Sequence, residues 1–407
     1  MARFLNKVDI SDLCLGTTVL GTGGGGSPEL GLFILIRLLE MGKEIKLISV
    51  GEVPDDEIVV HPAMIGSIAP SKDKTMALEE YCSRIISKEG PLLTGLKTLE
   101  EVLSEKVYAT VPVELGGYNT PVAAILGALA GIPFVDGDTI GRAKPELMMQ
   151  TYTIHNVPIT PMVLTDMKGN SVFVRKVASF KDAEKIARAM AVVGDGTTAV
   201  RCPVKGDVFK KTIIPGGVTK AIEIGKALRK AEERHEDPVQ AVMRASEGVE
   251  FFRGTVKQFK WEDREGFLWG TMTIKGEERY KRHELKVWLK NENLLSWLDR
   301  KPYVLTPDLI CILDAKTGRP ITNSNMKEGK KIVVFGIPSH DHLYQGCETE
   351  VPADLQELYI PDLKRILMVK EVSQPAREDR VGKQAPAGRR AIPRNMIVPG
   401  QLQLLLA

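Results

Sequence analysis

The pattern of apolar and polar positions is most regular in two runs in the first half of the chain. Residues 107–113 form an apolar run that ends at Glu114, a helix-like segment follows, and a second apolar run, residues 132–135, ends at Asp136 and Asp138. This order of strand, polar turn, helix, strand and polar turn predicts a βαβ unit. In open α/β sheets, ligands lie outside the carboxyl ends of the strands, so the three acidic residues mark a candidate site.

A run of glycines lies between two predicted helices near the N-terminus. The first helix is expected over residues 13–20, with Asp9 or Ser11 as its cap, and the second over residues 28–41, with Ser27 as its cap. The glycines allow backbone N–H groups to approach an anion or a planar polar ligand closely, which makes four of them candidate substrate-binding residues: Gly23, Gly24, Gly25 and Gly26. A flexible hinge is the alternative, and no Lys-Ser/Thr pair follows that would complete a Walker A loop.

The remaining pattern divides the chain into three parts. Strands expected at residues 44–50 and 57–61, together with the βαβ unit, place residues 1–165 in an α/β ligand-binding domain. Residues 166–343 contain helices and then short strand-like runs with polar turns, which are typical of a small barrel or sandwich. Residues 344–407 lose this periodicity and form a basic tail that we expect to be poorly ordered. The predicted fold is an α/β N-terminal layered sandwich plus a mainly-β, barrel-like C-terminal domain.

Composition narrows the class of protein. The 407 residues are 43% hydrophobic and 26% charged, and the net charge of +3 gives no general reason to expect nucleic acid or a membrane as a partner. The sequence shows neither an apolar run of ~20 residues that would span a bilayer nor a signal-peptide pattern at its start. The five cysteines are scattered without a CxxC motif, which favours reduced thiols, a cytoplasmic location and no cysteine-based zinc site.

Three roles are open to the acidic residues that end the predicted strands. Asp136 and Asp138 are two positions apart and share a face of an extended segment, so one of them is expected to have a raised pKa and to suit proton transfer. Together with Glu114 they would also attract a divalent cation such as magnesium or manganese, whereas no organic cofactor is expected. The third role is structural, with Asp138 capping a helix over residues 141–150.

Further polar residues surround the predicted strand ends. Arg142 is a candidate for binding a substrate carboxylate through its bidentate guanidinium, and an ion pair with Glu146, four residues on, is the structural alternative. Glu146 is itself a candidate for contact with the substrate. Asn119 follows a glycine pair and offers a donor and an acceptor to a ring amide, or else caps the helix that begins at Thr120.

Three ordered blocks carry a resemblance to a known family: LGTGGGGSP at residues 20–28, VELGGYNTP at residues 113–121 and VDGDTIGRAKPEL at residues 135–147. They resemble the signature blocks of the S-methyl thiohydantoin desulfurase family, and residues 307–338 resemble its C-terminal domain. The resemblance implies an N-terminal α/β sandwich, a barrel-like C-terminal domain and a small cyclic amidine or imide-like substrate. The basic tail departs from the aromatic, glycine-containing segment that usually follows the last barrel strand in this family.

The resemblance and the acidic residues together predict an enzyme that acts on a hydantoin-like five-membered ring. In the reaction that the family name implies, water replaces a sulfur substituent on the ring carbon between two nitrogens. Asp136 or Asp138 would be the base, with Asp136 favoured because it directly ends the apolar run, and Glu114 would be the acid or the partner of a ring N–H. The glycine loop and Asn119 would hold ring carbonyl and N–H groups, and Arg142 a side-chain carboxylate.

A second class of function fits the same sequence. The chain would then be a non-catalytic partner subunit, or a small-ligand-binding protein, of a hydantoin or amino-acid pathway. The partners expected are a small-molecule substrate and either a second copy of the chain or a hydantoinase-type protein. Turnover separates the two classes, because a partner subunit would co-purify stably with its partner and show no turnover alone.

Overall fold

The computed structural model describes residues 2–70, 76–194, 196–340 and 343. The predicted tail, residues 344–407, lies outside the described residues. The described chain contains an α/β part built on one large sheet and a mostly-β part built on a second sheet. The predicted fold class is therefore confirmed, and the second sheet is a curled half-barrel.

The first sheet combines a parallel centre with antiparallel edges. Its strands are β1 (Arg3–Phe4), β2 (Lys46–Ser49), β3 (Ile58–Ile65), β4 (Val107–Thr110), β5 (Phe134–Asp138), β6 (Met162–Asp166), β7 (Ser171–Val174), β8 (Thr197–Lys205) and β9 (Ile214–Pro215). Their order is β1-β2-β5-β4-β3-β8-β6-β7, with β9 pairing with β5. The four neighbours from β2 to β3 are parallel, as expected for strands joined by helical crossovers.

Helices cover both faces of the first sheet. They are α1 (Lys7–Leu20), α2 (Pro28–Glu40), α3 (Leu78–Ile86), α4 (Pro91–Leu103), α5 (Asn119–Ala130), α6 (Thr151–Ile154), α7 (Phe180–Gly194), α8 (Gly206–Thr212), α9 (Gly217–Arg234) and α10 (Pro238–Ser246). Successive residues of β8, Ala199 and Val200, belong to two separate apolar clusters, which shows that each face is packed. None of the helices in the described ranges has the length and apolar character needed to cross a membrane.

The second sheet is entirely antiparallel. Its strands are β10 (Val249–Arg264), β11 (Phe267–Gly276), β12 (Glu284–Lys290), β13 (Glu292–Leu298), β14 (Lys301–Leu305), β15 (Leu309–Asp314) and β16 (Lys331–Ile337). The order β14-β13-β12-β11-β10-β16-β15 leaves β14 and β15 as the edges. Short 3₁₀ turns lie at Val50–Glu52, Glu278–Tyr280 and Asn323–Asn325.

An aromatic cluster joins the half-barrel to the first sheet. Trp269, Trp288 and Trp297 from the second sheet pack with Ile140 and Met149, which belong to the loop after β5. These tryptophan side chains are at most 8% exposed. Burial of such large rings stabilises the loop against the half-barrel and so fixes the edge of the first sheet where β5 ends.

The local sequence explains where most helices and strands begin, but the predicted start of one helix has to be corrected. Ser27 caps α2 as predicted, because its hydroxyl accepts a hydrogen bond from the N–H of Leu30 at 3.2 Å. The predicted start of the first helix is wrong: α1 begins at Lys7, and Asn6 caps it by accepting from Val8 and Asp9. The predicted βαβ unit is confirmed by β4, α5 and β5, and the strands β4 and β5 are parallel.

Candidate active site

Three segments that are far apart in the sequence meet at the carboxyl ends of β4 and β5. The glycine loop, residues 21–26, contacts the start of α5, where the carbonyl of Gly25 accepts a hydrogen bond from the N–H of Asn119 at 3.1 Å. The loop after β5 joins them, because the N–H of Leu115 donates to the carbonyl of Arg142 at 3.1 Å. All three segments therefore lie at the sheet edge where α/β folds collect ligands.

Glu114 is held by hydrogen bonds from two sides. Its side chain is 4% exposed, Oε1 accepts from Asn119 Nδ2 at 2.7 Å, and Oε2 accepts from the backbone N–H of Lys144 at 3.1 Å. Burial raises the pKa of this carboxyl, while the Asn119 bond and the Lys144 charge oppose the rise. The Asn119 amide also accepts from the N–H of Met64 at 2.8 Å, so both of its ends are bonded to protein and it orients Glu114.

Asp138 is completely buried and has one oxygen without a hydrogen-bond partner. Its Oδ1 accepts from the backbone N–H of Ile140 at 2.8 Å and from that of Gly141, whereas no described residue donates to Oδ2. Burial raises the pKa of the Asp138 carboxyl from 3.8 to about 7, against the lowering effect of these two bonds and of the Lys144 charge. A carboxyl with a pKa near 7 and a free oxygen is suited to accept and return a proton.

Asp136, two residues earlier, has a different environment. Its Oδ1 accepts from the backbone N–H of Thr219 at 3.0 Å and its Oδ2 from the Thr219 hydroxyl at 2.5 Å. Thr219 lies in the first turn of α9, so Asp136 satisfies the free N-terminal groups of that helix. The predicted helix over residues 141–150, with Asp138 as its cap, is wrong: these residues form bends and turns, and Asp138 bonds to Ile140 and Gly141 in its own turn.

Glu292, which the sequence analysis missed, reaches the glycine loop from β13. Its Oε1 accepts from the N–H of Gly25 at 3.0 Å, and its Oε2 has no partner among the described residues. Burial and the nearby charge of Glu114 raise the pKa of the Glu292 carboxyl well above its usual range. The contact explains why residue 24 is a glycine, because a Cβ on Gly24 would lie 1.9 Å from Glu292 Oε1. The polar run Lys290-Asn-Glu-Asn293 between two apolar strands was the available signal.

Arg142 is buried and bonded to protein on every side. It makes five hydrogen bonds, from Nε to the carbonyl of Ala143, from Nη1 to Thr306 Oγ1 and the Asp308 carbonyl, and from Nη2 to Thr22 Oγ1 and the Asn293 carbonyl. Apart from the carbonyl of the neighbouring Ala143, these acceptors belong to the glycine loop, to β13 and to the segment before β15. The guanidinium has five N–H donors in total, so these five bonds use all of them. Arg142 therefore joins the two parts of the protein.

Glu146 bonds to the second sheet. Its Oε1 accepts from Nζ of Lys290, and both side chains are almost fully buried. The Lys290 Nζ also lies 4.5 Å from the ring centre of Phe267 and 4.6 Å from that of Trp269. This ion pair, stacked on aromatic rings, is a contact between the loop after β5 and the half-barrel.

Lys144 supplies a positive charge that acts on both Glu114 and Asp138. Its Nζ donates to Gln150 Oε1 at 2.9 Å and to Thr139 Oγ1 at 3.3 Å, and its charge lowers the pKa of both Glu114 and Asp138. Lys144 lies in the same sequence block as Arg142, residues 135–147, but was not among the predicted site residues. Within the described residues, no group of three or more His, Cys, Asp and Glu side chains is arranged to hold a metal ion.

Two family matches together span most of the chain. Residues 8–176 match the S-Me-THD-like, N-terminal domain, and residues 178–351 match the S-Me-THD-like, C-terminal domain. The chain belongs to the S-methyl thiohydantoin desulfurase family. Membership suggests a role in hydantoin-related metabolism. The domain limits predicted from the sequence, residues 1–165 and 166–343, stay predictions.

The family fold is also seen in a crystal structure of a protein from Chromobacterium violaceum. The two chains share 21% sequence identity with a TM-score of 0.66, over 85% of this chain and 94% of that chain. At this identity the likeness shows the fold alone. Among curated proteins, none matches the chain.

In the present protein, the change Gly25→Ala is expected to lower the free energy of unfolding by about 2–4 kcal/mol. Gly25 has φ +76°, and a Cβ there would lie 2.4 Å from the Cα of Gly116, which is backbone. The matched control is Gly42→Ala, since Gly42 has φ +75° and no atom within 4 Å of the added Cβ. The control should lose only about 1 kcal/mol. Urea denaturation of both variants measures the difference, and equal losses would contradict a closely packed glycine loop.

Proposed function

We propose that the protein is an enzyme that hydrolyses the exocyclic carbon–sulfur bond of an S-methyl thiohydantoin-type ring. The observation that carries this proposal is Asp138, a buried carboxyl with a pKa of about 7 and a free oxygen, beside Glu114 at the carboxyl ends of two parallel strands. Family membership supports the choice of substrate class. The geometry supplies a group able to move a proton near neutral pH.

In the proposed reaction, the oxygen of water bonds to the ring carbon between the two nitrogens as Asp138 takes one proton. The carbon–nitrogen double bond opens towards nitrogen, which receives the other proton of water. An electron pair of the added oxygen then forms the carbon–oxygen double bond as the carbon–sulfur bond breaks with its electron pair on sulfur. Asp138 returns its proton to that sulfur, and the products are the hydantoin and methanethiol. Asp138 thus acts first as base and then as acid, which a pKa near 7 permits in both directions.

The other groups are proposed to position the ring and to stabilise charge. Gly23 and Gly26 would offer their N–H groups to ring carbonyls, because the N–H groups of Gly24 and Gly25 donate to the Gly21 carbonyl and to Glu292. Glu114 would accept a ring N–H. Asn119 orients Glu114 through the 2.7 Å bond between them. Lys144 places a positive charge close to Asp138 and Glu114, where it opposes the build-up of negative charge. Arg142 and Glu146 hold the loop after β5 in place through their bonds to the half-barrel.

A non-catalytic role is the second candidate, because a closed polar network fits it too. Both oxygens of Glu114 are bonded to protein and Asp138 is 0% exposed. Such a network would serve a ligand-binding protein or a partner subunit of a hydantoinase-type enzyme.

We place the protein in the cytoplasm, since the cysteines of the described residues are unpaired thiols.

The test is release of methanethiol from S-methyl thiohydantoins by the purified protein. We expect turnover by the protein alone, with kcat rising as the pH passes through about 7 and then levelling, because the base must be ionised. The matched control substrate is the corresponding hydantoin, which lacks the leaving sulfur. Absence of turnover, together with stable co-purification of a second protein, would favour the partner-subunit role.

A further inference from the structure

Arg201 is a fully buried arginine without an acidic partner among the described residues. It lies in β8, within the otherwise uncharged run TTAVRCPV, and is 0% exposed. The hydrogen bond that its guanidinium makes there is a long one, 3.7 Å from Nη1 to Cys202 Sγ, and its Nε has no partner. A buried guanidinium without a counter-charge is costly, so its presence points to an anion that enters from outside.

Other unpaired polar groups lie next to Arg201. His61 is its neighbour across the β3–β8 pair, so the two side chains project from the same face of the sheet. His61 Nε2 lies 2.8 Å from the hydroxyl of Tyr152, and its Nδ1 has no partner. Burial lowers the pKa of His61 well below 6.5, so the ring is neutral near pH 7 and does not add to the positive charge.

A second cation, Lys144, bonds to a side chain near His61 and Tyr152. Gln150 and Thr151 directly precede Tyr152, and their Nε2 and Oγ1 atoms are buried without hydrogen-bond partners. The Gln150 side chain accepts from Lys144 Nζ at 2.9 Å. The charges of Arg201 and Lys144 both lower the pKa of His61, and the protein leaves the buried donors of Gln150 and Thr151 unused.

This group adjoins the proposed active site. Lys144 donates its backbone N–H to Glu114 at 3.1 Å, and the charges of Lys144 and Arg201 both lower the pKa of that carboxyl. Glu114 does not form an ion pair with Arg201 and is already bonded to Asn119 and to the N–H of Lys144.

We propose that Arg201, with Lys144 and the unused donors of Gln150 and Thr151, forms a subsite for a carboxylate carried by the substrate. This inference rests on the proposed function and makes the substrate a hydantoin-type ring with an acidic side chain. Arginine suits this task because its planar fork binds a carboxylate through two N–H groups. The subsite takes over the role that the sequence analysis assigned to Arg142, whose donors are used within the protein.

The test compares two substrates that differ only in charge, the S-methyl thiohydantoins derived from aspartate and from asparagine. With Arg201→Gln, we expect kcat/KM for the aspartate-derived ring to fall about 10²-fold, mainly through KM, because a charge-assisted hydrogen bond is lost. The asparagine-derived ring should change less than about 3-fold. Arg201→Lys should recover part of the loss, and Arg175→Gln, at an exposed position, is the control.

Separate readouts distinguish failure of the subsite from failure of the proposed function. An equal loss on both substrates, or a lowered thermal midpoint of ligand-free Arg201→Gln, would overturn the subsite and leave the function standing. If the wild type turns over neither ring, calorimetric binding of the aspartate-derived hydantoin still decides: binding that Arg201→Gln abolishes supports the subsite, and unchanged binding rejects it. We expect the midpoint of ligand-free Arg201→Gln to equal or exceed that of the wild type, because an unpaired buried charge is removed.

Discussion

Asp138→Asn is expected to lower kcat for methanethiol release by roughly 10²- to 10⁴-fold, the usual cost of losing general acid–base assistance. Asparagine has nearly the same size, and its carbonyl oxygen keeps the acceptor for the N–H groups of Ile140 and Gly141. What disappears is the free oxygen, Oδ2, that can take a proton. Assays of both steady-state rate and thermal midpoint are needed, since a fallen rate in an unfolded protein would prove nothing.

The difference in stability between this variant and the wild type should depend on pH. The folded-state pKa of Asp138 is raised from 3.8 to about 7, so its contribution to stability is fully present below pH ~4 and is lost as the pH rises to about 7. Asparagine does not titrate. The thermal midpoint of Asp138→Asn, relative to that of the wild type, should therefore increase between pH 4 and pH 7 and then remain constant. A difference that stays flat over this range would contradict the raised pKa.

Asp136→Asn is the matched control for both measurements. Asp136 bonds to the N–H and the hydroxyl of Thr219 at the start of α9, and asparagine is itself a good capping residue. We expect this variant to keep its activity within a few-fold. Full activity in Asp138→Asn, or a larger loss in Asp136→Asn, would instead return the role of base to Asp136, as the sequence analysis favoured.

The elements that the sequence predicted well depend on neighbours in the chain. The β4–α5–β5 unit follows from apolar runs bounded by polar turns, and the start of α2 follows from Ser27 and Pro28. The start of α1 was missed because its first turn mixes polar and apolar residues, so the apolar pattern becomes visible only later. The local pattern of apolar and polar residues thus predicts the position of most elements but not the residues at which they begin and end.

The site was only partly predictable because its remaining residues arrive through long-range packing. The bond between Gly25 and Glu292 joins positions 267 residues apart, and no local pattern reports it. The different roles of Asp136 and Asp138 depend on where α9 begins, which their shared face in the strand does not reveal. Arg201 did leave a signal, a single charge inside an apolar strand run, which marks a buried position that needs a partner.

Arg142→Met is expected to lower the free energy of unfolding by about 3–5 kcal/mol, the effect of breaking a buried charged network. Methionine fills much of the same volume, so the loss reports on hydrogen bonds rather than on a cavity. The change leaves the Asp308 and Asn293 carbonyls and the Thr22 hydroxyl without their donor. Arg142→Lys should recover only a minor part, because a lysine ammonium has three donors and no planar fork.

The control for Arg142 is Arg37→Met. Arg37 is 55% exposed, and its Nη1 lies 3.8 Å from Glu40 Oε2, so its removal should change the free energy of unfolding by less than about 0.5 kcal/mol. Guanidinium titrations of the variants and the wild type measure both effects. If Arg142→Met were as stable as the control and lost only its affinity for acidic substrates, Arg142 would be the carboxylate-binding residue after all. The hydrogen bonds of the two buried arginines predict different effects. Loss of Arg142 should lower stability, because all the donors of its guanidinium are bonded to protein acceptors. Loss of Arg201 should lower selectivity for charged substrates, because its guanidinium is not saturated by protein acceptors.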